Sequence, residues 1–126
     1  MRVWALAVAA IVLSGCAGFE QQSVSNTDNN FSYAGQVAGK SETETYDWKN
    51  SFSRAQVSWG GQSASGSFTV TIKDSLGNQV YSETFSGTQQ GGGNMQTERG
   101  TPGTWEVKIT FRDFTGQMGL AVQASN

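Results

Sequence analysis

Apolar residues recur at every second position along much of the chain after residue 30. The clearest run spans residues 104–112, where the apolar positions are Trp105, Val107, Ile109 and Phe111 and the intervening residues are polar. This alternation predicts an antiparallel strand with one buried face and one face in solvent. Shorter or weaker versions of the pattern occur at residues 31–39, 43–49, 54–59, 66–73, 79–85 and 117–124.

Glycine-containing segments separate these runs. Asp74-Ser75-Leu76-Gly77-Asn78 predicts a hairpin turn, because aspartate bonds to nearby backbone and glycine accepts a positive φ. Gly60-Gly61 and residues 114–116 indicate two further chain reversals, and residues 89–94 (QQGGGN) a flexible loop. Seven to eight short strands without a helical stripe predict an all-β fold: one small antiparallel two-sheet sandwich, jelly-roll or immunoglobulin-like, over residues 31–126.

The first fifteen residues have a different composition. A positive start at Arg2 is followed by an apolar run from Val3 to Leu13 and then by small residues. This order is typical of a cleaved secretory signal peptide over residues 1–15, and the run is too short to span a bilayer stably.

The segment Leu13-Ser14-Gly15-Cys16 resembles the lipobox of bacterial lipoproteins. The resemblance implies that Cys16 becomes the first mature residue and carries a diacylglyceryl and an acyl group, which together anchor a protein stably to a membrane. Because Ala17 rather than aspartate follows, the resemblance implies the outer membrane in a Gram-negative host and otherwise a lipid-anchored place in the cell envelope. We interpret residues 16–30 as the lipidated N-terminus and a flexible tether, roughly 20 Å long. The alternative is a peripheral first strand around Val24.

Composition limits the chemistry available to the chain. Its 126 residues are 37% hydrophobic and 14% charged, with one cysteine, no histidine and a net charge of -2, which fits a single domain. The missing histidine excludes Ser-His and Cys-His nucleophile pairs. A lone cysteine excludes an internal disulfide and a four-cysteine zinc site, and no calcium-loop spacing occurs. Without a basic patch a nucleic-acid partner is not expected, and we expect no cofactor and no metal.

Two glutamates are the only candidates for catalysis. Glu42 and Glu44 stand two residues apart, which would place both carboxyl groups on one strand face, as a small glycoside hydrolase needs. The competing interpretation is a solvated strand edge whose charges prevent edge-to-edge pairing. We favour the second interpretation and expect that the protein is not an enzyme.

Aromatic residues are the candidates for binding. Tyr46 and Trp48 lie in phase on one strand, and Phe114 lies in a segment that we expect to reverse the chain. If exposed, these rings would stack on sugars or anchor a protein partner, as in a lectin-like module. The alternative is that they fill a core that is poor in leucine and isoleucine.

Residues 100–124 resemble the closing strands of jelly-roll and prepeptidase C-terminal-like domains, with a Pro-Gly turn before a tryptophan strand. The resemblance implies a β-sandwich. Taken together, the sequence predicts a membrane-anchored lipoprotein of the cell envelope whose sandwich is a non-catalytic structural or binding module. Its expected partners are the membrane, through Cys16, and an envelope polysaccharide or protein.

Overall fold

The alternation of apolar and polar residues is realised as antiparallel strands. A computed structural model of the protein describes residues 20–86 and 90–126, and within these ranges the fold is all-β with seven strands. The expected signal peptide (1–15) and lipid attachment at Cys16 lie outside the described residues. Over the described ranges we find no helix that is long and apolar enough to cross a membrane. The strands are β1 (Glu20–Thr27), β2 (Asn30–Lys40), β3 (Thr43–Asn50), β4 (Arg54–Lys73), β5 (Gln79–Ser86), β6 (Gln90–Gln96) and β7 (Gly103–Ser125).

Two long strands form the frame of the sandwich. β4 has 20 residues and β7 has 23, and they pair with each other along nearly their whole length. The pairing register shifts twice between Ser63 and Ser67 of β4. Opposite these shifts, β7 has positive φ angles of 48° at Asp113 and 150° at Gly116. Both strands therefore bend at the same level, which folds one continuous sheet into two layers.

Each half of the long strands carries its own partners. Layer 1 consists of β3, residues 103–112 of β7, residues 67–73 of β4, and β5. Layer 2 consists of β1, β2, residues 114–125 of β7, residues 54–65 of β4, and β6. Rings from the two layers meet in the middle: Phe31 contacts Tyr46 with centroids 5.2 Å apart, and Trp59 contacts Phe85 at 5.4 Å. This arrangement confirms the predicted antiparallel two-layer sandwich.

The core contains the residues that alternate inward. Trp48 and Trp105 are both 0% exposed and pack edge to face, with centroids 6.1 Å apart. The inward positions of the predicted strands are buried as expected; they include Phe31, Tyr33, Val37, Val57, Phe68, Val70, Ile72, Val107, Ile109, Phe111, Leu120 and Val122. Aromatic rings thus supply much of the core volume that aliphatic side chains supply in most domains.

The flexible tether proposed for residues 16–30 needs correction from Glu20 onward. Residues Glu20–Thr27 form strand β1, which pairs with β2 from Glu20 opposite Val37 to Thr27 opposite Asn30. All eight residues of β1 are exposed, so the strand contributes no buried apolar side chain and has no period-two signal. Backbone pairing with β2 and polar side-chain contacts define it, which agrees with the alternative of a peripheral first strand around Val24.

Two expected reversals and one expected loop are also wrong. Gly60-Gly61 and residues 114–116 lie inside β4 and β7, and residues 90–96 form strand β6 along β4. A Cβ atom at Gly61 would lie 2.5 Å from the Gln117 carbonyl oxygen. Glycine at this position therefore permits the close approach of two strands and does not mark a turn.

The hairpin turn at Asp74–Asn78 is confirmed. The Asp74 carboxylate accepts hydrogen bonds from the backbone N–H groups of Leu76 (3.0 Å) and Asn78 (2.8 Å), and Gly77 has a φ of 88°. The second carboxylate oxygen accepts from the N–H of Thr101 at 2.9 Å, which ties this hairpin to the segment that leads into β7.

Candidate functional site

The three aromatic residues considered for ligand binding belong to the core. Trp48 and Phe114 are 0% exposed, and the Trp48 indole N–H donates to the Thr27 carbonyl oxygen at 3.1 Å. Tyr46 is partly buried against the same core, and its hydroxyl donates to a Glu44 carboxylate oxygen at 2.7 Å. Because these rings are enclosed, they do not form the exposed stacking surface, and the alternative of core filling describes them.

The two glutamates considered for catalysis are brought together with a lysine. Lys40 Nζ lies 2.5 Å from a Glu44 carboxylate oxygen and 3.9 Å from one of Glu42, and a carboxylate oxygen of Glu20 lies 2.6 Å away. The side chain of Lys40 is only 3% exposed and covers the Phe111 ring at 5.1 Å. Both Glu42 and Glu44 therefore face one ammonium group, which matches neither a pair of free catalytic carboxyls nor a fully solvated edge.

The electrostatics of this group of side chains, which we call the Lys40 cluster, keep the lysine charged. Burial lowers the pKa of Lys40, but hydrogen bonds to Glu20 and Glu44 outweigh it, and the pKa lies above its ordinary value. Burial, and next the charge of Glu44, raises the pKa of Tyr33. Burial, and next the hydrogen bond to Glu44, raises the pKa of Tyr46. The raised pKa values keep Lys40 charged and both tyrosines neutral at neutral pH, and the cluster closes the edge between β1 and β3.

A different surface carries the most regular arrangement of polar side chains. On the outer face of layer 2, four exposed glutamines from four neighbouring strands stand directly opposite one another. Their order across the sheet is Gln21, Gln36, Gln117 and Gln62. Backbone register places Gln90 of β6 next in the same line. We call the four exposed side chains the glutamine row.

Two rows of mostly small residues follow the glutamine row. The first contains Ser23, Ala34, Gly119, Gly60 and Gly92, and the second contains Ser25, Ser32, Ala121, Ser58 and Asn94. Apart from Asn94, no side chain in these rows is larger than serine, so the surface here is lower than at the rows of larger side chains on either side. We call this pair of rows the trough; a depression of about 490 Å³ lies at its junction with the glutamine row.

A second line of amides closes the far side of the trough. This amide row contains Asn30, Gln123, Gln56 and Gln96, with Thr27 at its end. Gln36 and Asn30 are six residues apart on β2, so the two amide-bearing rows are separated by about 20 Å. The glutamine row, the trough and the amide row together form the glutamine face.

The glutamine face differs in charge from the outer face of layer 1. None of the four rows contains a charged side chain, and Arg54 lies beyond the amide row. The outer positions of layer 1 carry charged and threonine side chains instead; the charged ones are Asp47, Lys49, Lys73, Glu106, Lys108 and Arg112. One side of the sandwich is therefore an ordinary solvated surface, and the other is polar but uncharged.

The two amide-bearing rows differ in the hydrogen bonds that their side chains make. In the amide row, Gln56 donates to Asn94, and Gln96 accepts from Arg54 at 3.1 Å and donates to the Ser125 hydroxyl at 3.0 Å. Across residues 20–86 and 90–126, the glutamine-row side chains have no such protein partner. Their donors and acceptors are available to a ligand.

Part of the glutamine face is recognisable in the sequence. Apart from Arg54, the outward residues of the strands at 31–39, 54–59 and 117–124 are glutamine, serine, glycine and alanine, whereas those of residues 104–112 include Glu106, Lys108 and Arg112. What the sequence does not state is the register that aligns Gln21, Gln36, Gln62 and Gln117, because these residues come from four separate strands. In the described ranges no three Asp, Glu or Cys side chains gather in a way that could hold a metal ion.

No protein-family model and no curated protein sequence matches the chain. Several solved structures resemble the fold. The CBM36-1 domain of a multidomain xylanase from the hindgut metagenome of Trinervitermes trinervoides is 10% identical, with a TM-score of 0.50 over 90% of this chain and 94% of the other. The carbohydrate-binding module CBM6cm-2 of Cellvibrio mixtus lichenase 5A, in complex with cellotriose, is 14% identical, with a TM-score of 0.48 over 85% of this chain and 88% of the other. The K1 cleaved adhesin domain of Lys-gingipain from Porphyromonas gingivalis W83 is 11% identical, with a TM-score of 0.48 over 90% and 88%. At these identities the likeness concerns the fold.

Proposed function

We propose that the protein is a non-catalytic binding module of the bacterial cell envelope that recognises a polysaccharide through the glutamine face. The observation that carries the proposal is the glutamine row, four exposed amides that have no hydrogen-bonding partner within residues 20–86 and 90–126 and that lie beside an uncharged trough. Each amide offers two N–H donors and one carbonyl acceptor, which suits the hydroxyl groups of sugars.

The chemistry of the face favours a glycan over other polymers. Protein interfaces depend on buried aromatic, arginine or aliphatic anchors, and the four rows contain none. Nucleic acids require cations against the phosphates, and these rows have no lysine or arginine. A polymer with many neutral hydroxyl groups needs neither such anchors nor cations, so a glycan suits this face.

The lipid anchor at Cys16 is the second part of the proposal. It rests on the lipobox resemblance of Leu13-Ser14-Gly15-Cys16, with three residues between Cys16 and the start of β1 at Glu20. Radiolabelled palmitate supplied to bacteria that express the full chain should enter the protein, and Cys16→Ala should abolish its incorporation. Equal incorporation into the variant would exclude Cys16 as the attachment site.

The fold likeness is compatible with this function. The CBM36-1 domain, with a TM-score of 0.50, is a module within a xylanase, so a sandwich of this shape occurs as part of a carbohydrate-active protein. The observations that concern this chain's own ligand are the residues of the glutamine face.

The binding proposal is tested with the full-length protein in detergent on native gels that contain a panel of purified bacterial and plant polysaccharides. We compare Gln36→Ala/Gln117→Ala with the matched cross-strand pair Thr69→Ala/Thr110→Ala on the outer face of layer 1. Loss of two hydrogen-bonding side chains should weaken retardation by about tenfold, at about 0.5–1.5 kcal/mol each. The threonine pair should behave as wild type. Retardation by no polysaccharide, or equal retardation of both double variants, would contradict the proposal.

A further inference from the structure

We infer that the ligand is a neutral, linear glycan that lies across the strands of layer 2, in the trough, and contacts four to five consecutive sugar units. The inference rests on the proposed function and deepens it: it specifies charge, direction and length at the same site.

The direction follows from the shape of the surface. The rows of the trough run across all five strands of layer 2, from Ser23 on β1 to Gly92 on β6. The glutamine row and the amide row border the trough on two opposite sides, whereas at β1 and β6 the trough ends at the edge of the sheet. A long chain that followed the strands would have to pass over one of these rows, whereas a chain that crosses the strands can extend past the sheet edges and meets the glutamine row along its length.

The length follows from the spacing of the strands. Neighbouring strands lie about 4.8 Å apart, so the five strands span about 19 Å from first to last. For a sugar chain that advances by about one strand spacing per unit, about four to five units fit the trough. Gln21, Gln36, Gln117 and Gln62 follow one another at the same interval, so successive sugar units meet equivalent amides.

The preference for a neutral ligand follows from what the four rows lack. An acidic glycan would bring carboxylates or sulfates against amides, hydroxyls and glycines without a cation to compensate for lost hydration. The rows also lack aromatic rings, so binding depends on hydrogen bonds and shape rather than on stacking. Affinity should therefore grow with the number of sugar units and respond weakly to salt.

Substitution of Gly119 can obstruct the trough without disturbing the fold. It lies in the middle of the trough, opposite Ala34 and Gly60. A Cβ atom built on Gly119 would have its nearest neighbour, the Tyr33 carbonyl oxygen, 3.9 Å away. A side chain at this position would project into the trough without a clash. Gly119→Val should therefore fold and obstruct the ligand, and Gly119→Ala should obstruct it less.

The experiment uses fragments of two to six sugar units from a polysaccharide retained by the full-length protein in the gel assay, with calorimetry at low and high salt. We expect affinity to rise at least tenfold from two to four units and to level off by six. It should change less than twofold with salt. Gly119→Val should weaken binding at least tenfold, and Thr69→Val on layer 1 should bind as wild type.

Length-independent affinity, a strong loss of affinity with salt, or unchanged binding by Gly119→Val would overturn this inference while the proposed function stood. A dimer in analytical ultracentrifugation that Gly119→Val dissociates would also overturn it, because a second copy of the chain would then occupy the trough. Absence of binding to any polysaccharide in the gel assay contradicts the proposed function itself, so the two failures are distinguishable.

Discussion

Lys40 and Glu44 lie on different layers of the sandwich, and the ammonium of one is 2.5 Å from the carboxylate of the other. Their side chains are 3% and 11% exposed, so this contact is largely shielded from water. Glu20 of β1 reaches the same ammonium at 2.6 Å. The Lys40 cluster thus joins β1, β2 and β3 at an edge where the two layers share no strand pairing.

Removal of the ammonium should destabilise the fold. Lys40→Met leaves the shielded Glu44 carboxylate without its cation, at a cost of about 3 kcal/mol in the free energy of unfolding. Lys40→Met/Glu44→Gln should recover part of this loss, because the most shielded of the three carboxylates around the ammonium is then neutral. Lys108→Met on the outer face of layer 1 is the control and should stay within about 0.5 kcal/mol of wild type. Urea unfolding measures all three, and equal midpoints for Lys40→Met and Lys108→Met would show that the cluster contributes little.

The same cluster predicts loss of stability in alkali. Folding raises the pKa values of Lys40, Tyr33 and Tyr46 above their ordinary values, which lie near 10. Above this pH the unfolded chain releases these protons before the folded chain does, so the folded state binds more protons and stability falls as pH rises. Below pH 9 the three groups should contribute no slope. Urea midpoints between pH 7 and pH 11 check the sign; a midpoint that rises above pH 10 contradicts it.

Asp74 should give the stability of the fold the opposite pH dependence at acid pH, with a loss of stability as the pH falls. Burial alone would raise its pKa, but backbone N–H groups of Thr101, Asn78 and Leu76 outweigh burial and hold the pKa below its ordinary value. Stability should therefore fall as pH drops below about 4, where the unfolded chain takes up the proton first. At neutral pH, Asp74→Ala should cost about 2–3 kcal/mol because these N–H groups lose their acceptor.

The control for Asp74 is Asp28→Ala, since Asp28 is exposed in the turn between β1 and β2. It should leave the free energy of unfolding within about 0.5 kcal/mol of wild type. Asp74→Ala should also flatten the decline of stability in acid. An unchanged acid decline in that variant would show that other groups cause it.

Two glycines on neighbouring strands should respond differently to the same substitution. A Cβ atom at Gly61 would lie 2.5 Å from the Gln117 carbonyl oxygen, whereas at Gly119 the nearest atom is 3.9 Å away. Gly61→Ala should therefore cost about 1–3 kcal/mol through overpacking, and Gly119→Ala should be near neutral. Thermal unfolding of the two variants checks the register of β4 and β7. The reverse order of stabilities would contradict that register.

The residues of the core were predictable because burial imposes a period of two on them. Trp105, Val107, Ile109 and Phe111 alternate without interruption, and all four are buried. The same rule failed for β1, since this edge strand has both faces in solvent and therefore no alternation to detect. The separate expectation of a reversal at Gly60-Gly61 failed because glycine there permits a close contact between two strands.

The candidate site depends on pairing between distant segments, and for that reason the sequence did not predict it. Gln21 and Gln117 are separated by most of the domain, yet both flank Gln36 in one line across the sheet. Lys40 and Glu44 are four residues apart, but the sequence alone does not show that Glu20 completes their cluster. Local patterns predict which face a side chain occupies, and long-range register decides which side chains meet.

A nuclear magnetic resonance titration of the full-length protein in detergent, with a polysaccharide that retards it on native gels, tests directly whether the glutamine face is the binding surface. We expect the side-chain amide signals of Gln21, Gln36, Gln62 and Gln117 to shift together with the backbone signals of Gly60 and Gly119. Signals from Thr69 and Thr110 on the outer face of layer 1 should stay in place. Shifts confined to layer 1, or to the loops at either end of the sandwich, would contradict the assignment of the glutamine face as the binding surface.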